Sequence, residues 1–451
     1  MSDPVRRSAA SALTLIDGKG LFADEAIARS AGGAAPLGGR DRALLFELVY
    51  GTLRWRGRID YFLGALAHRS FRTNPPEIRN LLRIGAYQIL FLDRVPPWAA
   101  VDTATELAKE FGNPGQVRFV NGVLRNLVRR KEKIPLPGPG DTIPHLAVKH
   151  SCPEWLVRRW VSRFGKERAE RLLAACNKPP ATTLRINSLK PDPGEYLERL
   201  AGAVEKLIPH QLCPEGVVVE FSGPVEKLPG FREGRFYVQD GGAILISRMV
   251  GARAGNRILD ACAAPGGKAS HLAELMADEG EIIALEVDPL RLGRIEENME
   301  RLGITIVRPL LGDGRSIRFG EPFDHVLIDA PCSGLGTIRR HPEAKWRKKE
   351  EDLARHRERQ LGLLRNLSRF VRAGGSLVYS TCSTEPEENG EVIGTFLREE
   401  GGFTVAPVPA DFPAAARSMI DDKGFFHAWP DEHDTDGFFA VRLVRQKDRL
   451  A

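Results

Sequence analysis

The chain has 451 residues, 42% of them hydrophobic and 27% charged, with a formal net charge of +6 at pH 7. That length exceeds what one core usually organises and points to two or three domains, while six cysteines (152, 176, 213, 262, 332, 382) without a C-x-x-C pair disfavour structural zinc and a secreted disulfide framework. Arg6 and Arg7 lead into Asp17 and Lys19 rather than a signal-peptide core, and no uninterrupted apolar run approaches a membrane span, so a reducing, cytoplasmic setting without metal or membrane is expected.

The charge is unevenly placed. Residues 1–140 hold 21 Lys plus Arg against 13 Asp plus Glu, a net of +8, so the remainder sums to −2. A basic excess at one end suggests a docking surface for a polyanion, usually nucleic acid; the plainer alternative is a helical domain with arginines on its solvated faces. Val101, Ala104, Ala108 and Phe111 recur at helical spacing, as do Val117, Val120, Leu124 and Leu127, with Arg118, Arg125 and Arg129 off that stripe. Leu44, Leu45, Leu48 and Val49 precede a basic cluster, Arg54, Trp55, Arg56 and Arg58, that could lie against phosphates or a base, or in which Trp55 is a core anchor. Without a glycine-rich loop, a His/acid pair or metal spacing, this part reads as a binding module.

Pro135, Pro137, Pro139 and Pro144 with Gly138 and Gly140 form a linker, which sets expected domains at 1–140, 146–235 and 236–451. The middle part mixes helical stretches (155–164, 167–175) with strand-like ones (182–186, 217–221, 235–238), a small α+β module without a catalytic constellation. Its Arg185 and Asn187 could meet a nucleic-acid backbone or simply face solvent.

From Gly241 onward, strands near 257–260, 281–287, 306–311, 323–328, 376–379 and 438–444 alternate with helices near 267–277, 289–302, 350–371 and 387–399, the rhythm of a parallel doubly wound α/β sheet. The last strand has no crossover helix before it and is expected to be antiparallel. Ile258-Leu259 ends in Asp260-Ala261-Cys262-Ala263-Ala264-Pro265-Gly266-Gly267-Lys268, a strand, a glycine turn and a helix, and the ligand crevice of such a sheet lies at its strands' carboxyl ends. The spacing is not G-x-G-x-x-G, so the turn alone is a weak signal. Glu286 ends the next strand, where a carboxylate would accept hydrogen bonds from the ribose of NAD or of S-adenosylmethionine. Two further strands end in Asp329-Ala330-Pro331-Cys332-Ser333-Gly334 and Ser380-Thr381-Cys382-Ser383, which aims both thiols at one crevice. Cys152, Cys176 and Cys213 read as buried small hydrophobes.

These three motifs, with Glu387-Glu388-Asn389, resemble those of RNA cytosine-C5 methyltransferases, and Arg118-Phe119-Val120-Asn121-Gly122-Val123-Leu124-Arg125-Asn126 resembles the RNA-binding antitermination protein NusB. Together they are similar to the bacterial Sun-type (RsmB) small-subunit ribosomal RNA methyltransferases. The resemblance implies a Rossmann-like class I methyltransferase domain with an antiparallel last strand, preceded by a small α+β module and an all-α NusB-like domain. It implies a monomer that methylates C5 of a cytosine in 16S ribosomal RNA, as naked RNA or an assembly intermediate, from S-adenosylmethionine. Transfer RNA is the alternative substrate. A non-catalytic RNA-binding factor and an NAD-dependent oxidoreductase are the rival classes, and the second leaves the strand-end cysteines without a role. Glu286 stands where many members have Asp, and Gly241-Gly242 follows Gln239-Asp240 where small hydroxyl residues are frequent.

Cytosine C5 is too weak a nucleophile to take a methyl group unaided, so a thiolate adds at C6, and after transfer a base removes the C5 proton before the sulfur leaves. Strand position leaves Cys332 and Cys382 equivalent; the resemblance implies that Cys382 attacks and Cys332 helps release product. Asp329 is the candidate partner for N3 or the exocyclic amine, and it also borders the cofactor. By the same resemblance, the backbone of Cys262, Ala263, Ala264, Pro265, Gly266, Gly267 and Lys268 holds the methionine part, Glu286 the ribose and Asp313 the adenine amine, with a capping role competing at Asp313. Arg339, Arg340, Lys345, Trp346, Arg347, Lys348 and Lys349 read as phosphate contacts beside a flipped cytosine, or as a solvated basic helix start.

Overall fold

The computed structural model describes residues 3–31, 38–67 and 70–447. Two compact units emerge, one of residues 1–178 with 338–348 and the other of 179–337 with 349–451.

The first unit is helical: α1 (Pro4–Lys19), α2 (Ala23–Ser30), α3 (Gly39–Ala67), α4 (Ser70–Thr73), α5 (Pro76–Phe91), α6 (Pro97–Phe111), α7 (Pro114–Arg130), α8 (Thr142–Lys149) and α9 (Glu154–Cys176). Local chemistry sets the ends. Asp3 caps α1 by accepting from Arg6 N, and α7 opens on a capping box in which Asn113 and Gln116 satisfy each other's backbone N–H groups. Apolar stripes then decide the packing: α6 buries Ala100, Val101, Ala104, Leu107 and Ala108, and α7 buries Val120, Val123, Leu124 and Leu127 while Arg118, Arg125, Arg129 and Arg130 stay exposed. Gly51 lets α3 approach α5, since a Cβ there would lie 2.1 Å from the Tyr87 ring.

The structure decides between the two readings of Trp55 and its neighbours. Trp55 stacks on Phe91 at 4.8 Å between ring centroids and packs against the core, so it is an anchor, and its basic neighbours are committed: Arg54 is buried and Arg56 pairs with Asp17 at 2.8 Å. The helical stretches 155–164 and 167–175 form the two halves of α9, broken at Gly165 (φ 76°), within the first compact unit.

The second unit begins with a small antiparallel sheet in the order β2-β3-β1-β4, made of β1 (Thr182–Ile186), β2 (Lys206–Pro209), β3 (Gly216–Glu220) and β4 (Phe236–Val238), with α10 (Pro193–Ala201) between β1 and β2. After α11 (Gly241–Val250) comes the large sheet: β5 (Arg257–Ala261), α12 (Gly267–Leu275), β6 (Glu281–Glu286), α13 (Pro289–Leu302), β7 (Val307–Leu311) and β8 (Phe323–Asp329). Residues 338–348, with the single turn α14 (Ala344–Arg347), then cluster with the helical unit. The chain continues through α15 (Asp352–Leu367), β9 (Val371–Thr381), α16 (Gly390–Glu399), β10 (Phe403–Val405), β11 (Phe425–Ala428) and β12 (Phe438–Arg445).

The strand order is β10-β12-β9-β8-β5-β6-β7, with β11 on β12; β5 to β9 pair in parallel and β12 runs antiparallel to β9, as expected. Successive β5 residues face opposite cores: Ile258 packs with Ile244, Leu272 and Ile295, and Leu259 with Leu364, Val392 and Phe396. The strand order reverses between β5 and β8, the switch point where a crevice opens at the carboxyl ends.

Neither Arg185 nor Asn187 faces nucleic acid or solvent. The fully buried Arg185 guanidinium donates to both Glu274 oxygens at 2.9 and 3.0 Å, to Ser270 Oγ at 2.7 Å, to Gly267 O at 2.8 Å and to Gln239, while Asn187 donates to Gly234 O and Leu302 O. The second strand face of β1 is covered by α12, so a charge on β1 needs a carboxylate there.

The basic run after Cys332 is also mostly inward. Lys345 is 1% exposed, its Nζ donates to Arg54 O at 2.9 Å and Asn177 Oδ1 at 3.2 Å, and burial pushes its pKa down to about 8. Trp346 Nε1 donates to Leu53 O at 2.7 Å, Arg347 donates to Ile16 O and Leu21 O, and Arg339 is buried with its carbonyl accepting from Arg54. These groups tie 338–348 to α3, α1 and the turn before α2 rather than to phosphates; Lys349 is exposed.

Denaturant unfolding checks both corrections. Arg185→Met should cost about 3–5 kcal/mol by leaving Glu274 buried without its partner, and Arg185→Met with Glu274→Met should regain much of it. Lys345→Ala should cost about 2–4 kcal/mol through a cavity and two stranded acceptors, against within about 0.5 kcal/mol for Lys349→Ala.

Candidate active site

The site is built at the carboxyl ends of β5, β6, β8 and β9 in the second unit. Parallel pairing sets Asp329 opposite Ser380, so the loops that follow leave the sheet side by side. Their thiols meet: Cys332 Sγ and Cys382 Sγ are 3.3 Å apart, and both side chains are half-buried. The Cys332 thiol is pushed well above the usual cysteine value, first by its contact with Cys382 and then by burial. Strand position alone leaves the two cysteines equivalent. Either sulfur can donate its S–H to the other, so the contact itself does not tell them apart.

Asp329 accepts from Lys268 Nζ at 2.6 Å and from Ser380 Oγ at 2.9 Å, which fixes its carboxylate as an acceptor at the floor of the site. Burial pulls the Lys268 pKa down, yet the charges of Asp329 and Asp260 outweigh it and leave it raised. Asp260 is fully buried below them, and burial pushes it up to about 8. Acidic side chains stand at the ends of β5, β6 and β8; Lys268 answers Asp329 and Asp260, and Arg291 lies 3.5 Å from Glu286. Sequence reasoning placed only the Lys268 backbone in the cofactor loop. The signal for its side chain was that clustered strand-end acids require a counter-charge.

The loop after β5 turns through Cys262 (φ 63°) and Gly266 (φ 100°), both left-handed, with a cis Ala264–Pro265 bond. Ala263 N donates to Leu285 O and Gly266 N to Ala263 O, while Ala264 O and Pro265 O accept from Arg291 and Asn298. The Cys262 thiol is pushed up to about 12 by burial and the nearby carboxylates, so it stays protonated and unreactive. Glu286 is 2% exposed; its Oε1 accepts from Val287 N and Asp288 N, and its Oε2 takes no hydrogen bond among the described residues, lying 3.5 Å from Arg291. Asp313 performs the turn-capping role, accepting from Arg315 N at 2.9 Å as well as pairing with its guanidinium, and these contacts hold its pKa below the usual value. Val287 and Leu311 at the ends of β6 and β7 are half-exposed apolar faces beside these two acids.

One group unassigned by sequence reasoning dominates the polar network. The carboxylate of Glu388, 0% exposed, accepts from Ser333 N, Ser333 Oγ, Ser383 Oγ and Gln360 Nε2. Among the described residues no cluster of three metal-ligating side chains occurs, and no helix is long and apolar enough to cross a membrane.

Comparison with known proteins fits this geometry. Residues 248–444 match the model of the 16S rRNA methyltransferases RsmB/F, residues 152–226 the ferredoxin-like domain of the RsmF/B-like methyltransferases, and residues 3–129 the NusB family. The probable ribosomal RNA small subunit methyltransferase B of Bacillus subtilis is 37% identical over 415 residues, covering 91% of this chain and 92% of that protein. The ribosomal RNA small subunit methyltransferase B of Sodalis glossinidius is 34% identical over 417 residues, covering 91% and 92%. The crystal structure of PH0851 superposes with a TM-score of 0.83 at 27% identity, covering 98% of this chain and 99% of that one. A chain with two strand-end thiols in contact, a NusB-like helical region and this likeness over nine-tenths of its length belongs to the RsmB/F family of 16S rRNA methyltransferases.

Proposed function

We propose that the chain transfers a methyl group from S-adenosylmethionine to C5 of a cytosine in 16S ribosomal RNA through a covalent adduct between Cys382 and C6. The observation that carries this reading is the contact of two thiols at adjacent strand ends, beside a carboxylate held by a lysine. Family membership sets aside the nicotinamide and non-catalytic alternatives; a transfer RNA substrate is the variant that RNA mapping must exclude.

The donor's chemistry is an electrophilic methyl group on a sulfonium. The residues fit it: Glu286 keeps one buried oxygen unbonded for a ribose diol, Val287 and Leu311 offer apolar faces to an adenine, Asp313 can take its amine, and the loop Cys262–Lys268 takes the methionine part. Asp329, kept an acceptor by Lys268, receives the exocyclic amine of the cytosine and orients the ring. The Cys382 sulfur, attacking as a thiolate, adds its electron pair to C6, which makes C5 nucleophilic. Once Cys382 is a thioether its negative charge is gone. The Cys332 thiol then gives its proton to solvent and, as a thiolate, takes the C5 proton; the C5–H electron pair re-forms the C5–C6 double bond as the C6–S bond breaks and returns its pair to Cys382.

Denaturing gels of reactions with ribosomal RNA test the assignment. Cys332→Ala should attack and accept the methyl group but fail to resolve, leaving a slow protein–RNA band; Cys382→Ala should give neither product nor band. A band with Cys382→Ala alone exchanges the roles, and loss of activity in both without any band removes the covalent mechanism.

The exposed arginines of α7 supply affinity in this reading. Neutralising Arg125, Arg129 and Arg130 together should weaken RNA binding and flatten its salt dependence by about one unit of slope per lost phosphate contact, with donor affinity unchanged. An unchanged slope in filter-binding titrations places the RNA surface elsewhere.

A further inference from the structure

Glu388 is held at the end of the turn Pro386–Glu388, where its own carbonyl accepts from Tyr379 OH at 2.6 Å. Its carboxylate reaches both cysteine loops. From the loop after β8 it accepts Ser333 N at 2.7 Å and Ser333 Oγ at 2.5 Å, and from the loop after β9 it accepts Ser383 Oγ at 2.5 Å. Ser333 follows Cys332 and Ser383 follows Cys382, so each bond is one residue from a thiol. The serine hydroxyls lie 3.2 Å apart, in step with the 3.3 Å between the thiols. Gln360 adds a brace, donating to Glu388 at 3.2 Å and to Pro331 O at 3.1 Å.

The neighbouring Asn389 marks the difference between supporting a loop and joining two. Its side chain accepts from Thr381 Oγ1 and donates to Ser383 O, both in the Cys382 loop. The backbone bond from Gly336 N to Cys382 O also links the loops, but four residues beyond Cys332. Three residues direct four donor groups at Glu388, two N–H and two hydroxyl, and an ionised carboxylate has acceptor capacity for all four. An amide would turn an N–H toward at least one of them and leave buried donors unpaired.

We infer that Glu388 is a positioning residue that sets the distance between the two thiols, and through it the timing of adduct formation and release. The inference rests on the two-cysteine reading for its catalytic consequence, but not for its geometric one. A dithiol reagent reads the geometry without RNA. Phenylarsine oxide exchanges its oxygen for two thiolate sulfurs, releasing water, and bridges only sulfurs that are close together.

The full-length chain, wild type and Glu388→Gln, is titrated with phenylarsine oxide, and the Cys332–As–Cys382 bridge is quantified by peptide mass spectrometry beside steady-state methylation of ribosomal RNA. Bridge formation should slow about tenfold or more, and kcat should fall on the order of 10- to 100-fold, with KM for the methyl donor within about twofold, as for a misplacement of reacting groups rather than lost binding. Ser333→Ala and Ser383→Ala, each removing a hydroxyl from the network, keep the test open if Glu388→Gln does not fold, and should show smaller losses in both measurements. Unchanged bridging in folded variants overturns the inference, whatever happens to kcat. Bridging that falls in Glu388→Gln while the wild type methylates no RNA upholds the positioning role and defeats the methyltransferase reading instead.

Discussion

The parallel pairing of β8 with β9 decides where the reactive groups can go. A parallel pair sends both strands out of the sheet in the same direction, and the register that sets Asp329 opposite Ser380 brings the two following loops out at one level. Ser380 completes the hold on Asp329 from across that pairing, and Ala330 N continues the ladder to Ser380 O. A slip of one residue would turn Asp329 and Ser380 to opposite faces and part the thiols. Buried apolar residues on both faces of β8 and β9, including Val326, Leu327, Ile328, Leu377, Val378 and Tyr379, resist such a slip. The chemistry therefore rests on a core that itself touches no substrate.

The second constraint is a surplus of acid in little water. Asp260, Glu286 and Asp329 stand at the ends of neighbouring strands; Lys268 answers Asp329 and Asp260, and Arg291 lies 3.5 Å from Glu286. In such a field a thiolate is costly, which is why Cys262 is pushed up to about 12 although its loop turns toward the same crevice. A cysteine placed here is useful only if something donates to its sulfur. Each of Cys332 and Cys382 can do that for the other, and the bonds of Ser333 and Ser383 to Glu388 link their loops.

Much of this was legible in the sequence, and what was not has a common cause. The doubly wound sheet, its antiparallel last strand and the stripe of α7 follow from local patterns, since Ile258 and Leu259 or Val120 and Leu124 state their burial by spacing alone. Arg185 and Lys345 could not be read that way. Each is a charge whose meaning depends on a distant partner, Glu274 in the first case and the carbonyl of Arg54 in the second. Composition registers both as solvated cations, although they are among the most buried side chains of their units. Glu388 failed for the related reason that its donors arrive from Ser333, 55 residues before it, as well as from Ser383 close by. Motif order identified the thiols, but nothing in the order of residues says which carboxylate ties their loops.

The same distinction bears on how the two cysteines divide their work. A sequence presents them as two similar thiols, and their strand positions are alike. Their surroundings differ: Ser333 after Cys332 gives both its N–H and its hydroxyl to Glu388, whereas Ser383 after Cys382 gives only its hydroxyl. A contact in which either sulfur can donate to the other tolerates little change in sulfur–sulfur distance. That is a physical reason for a buried carboxylate with four donors to stand behind two cysteines.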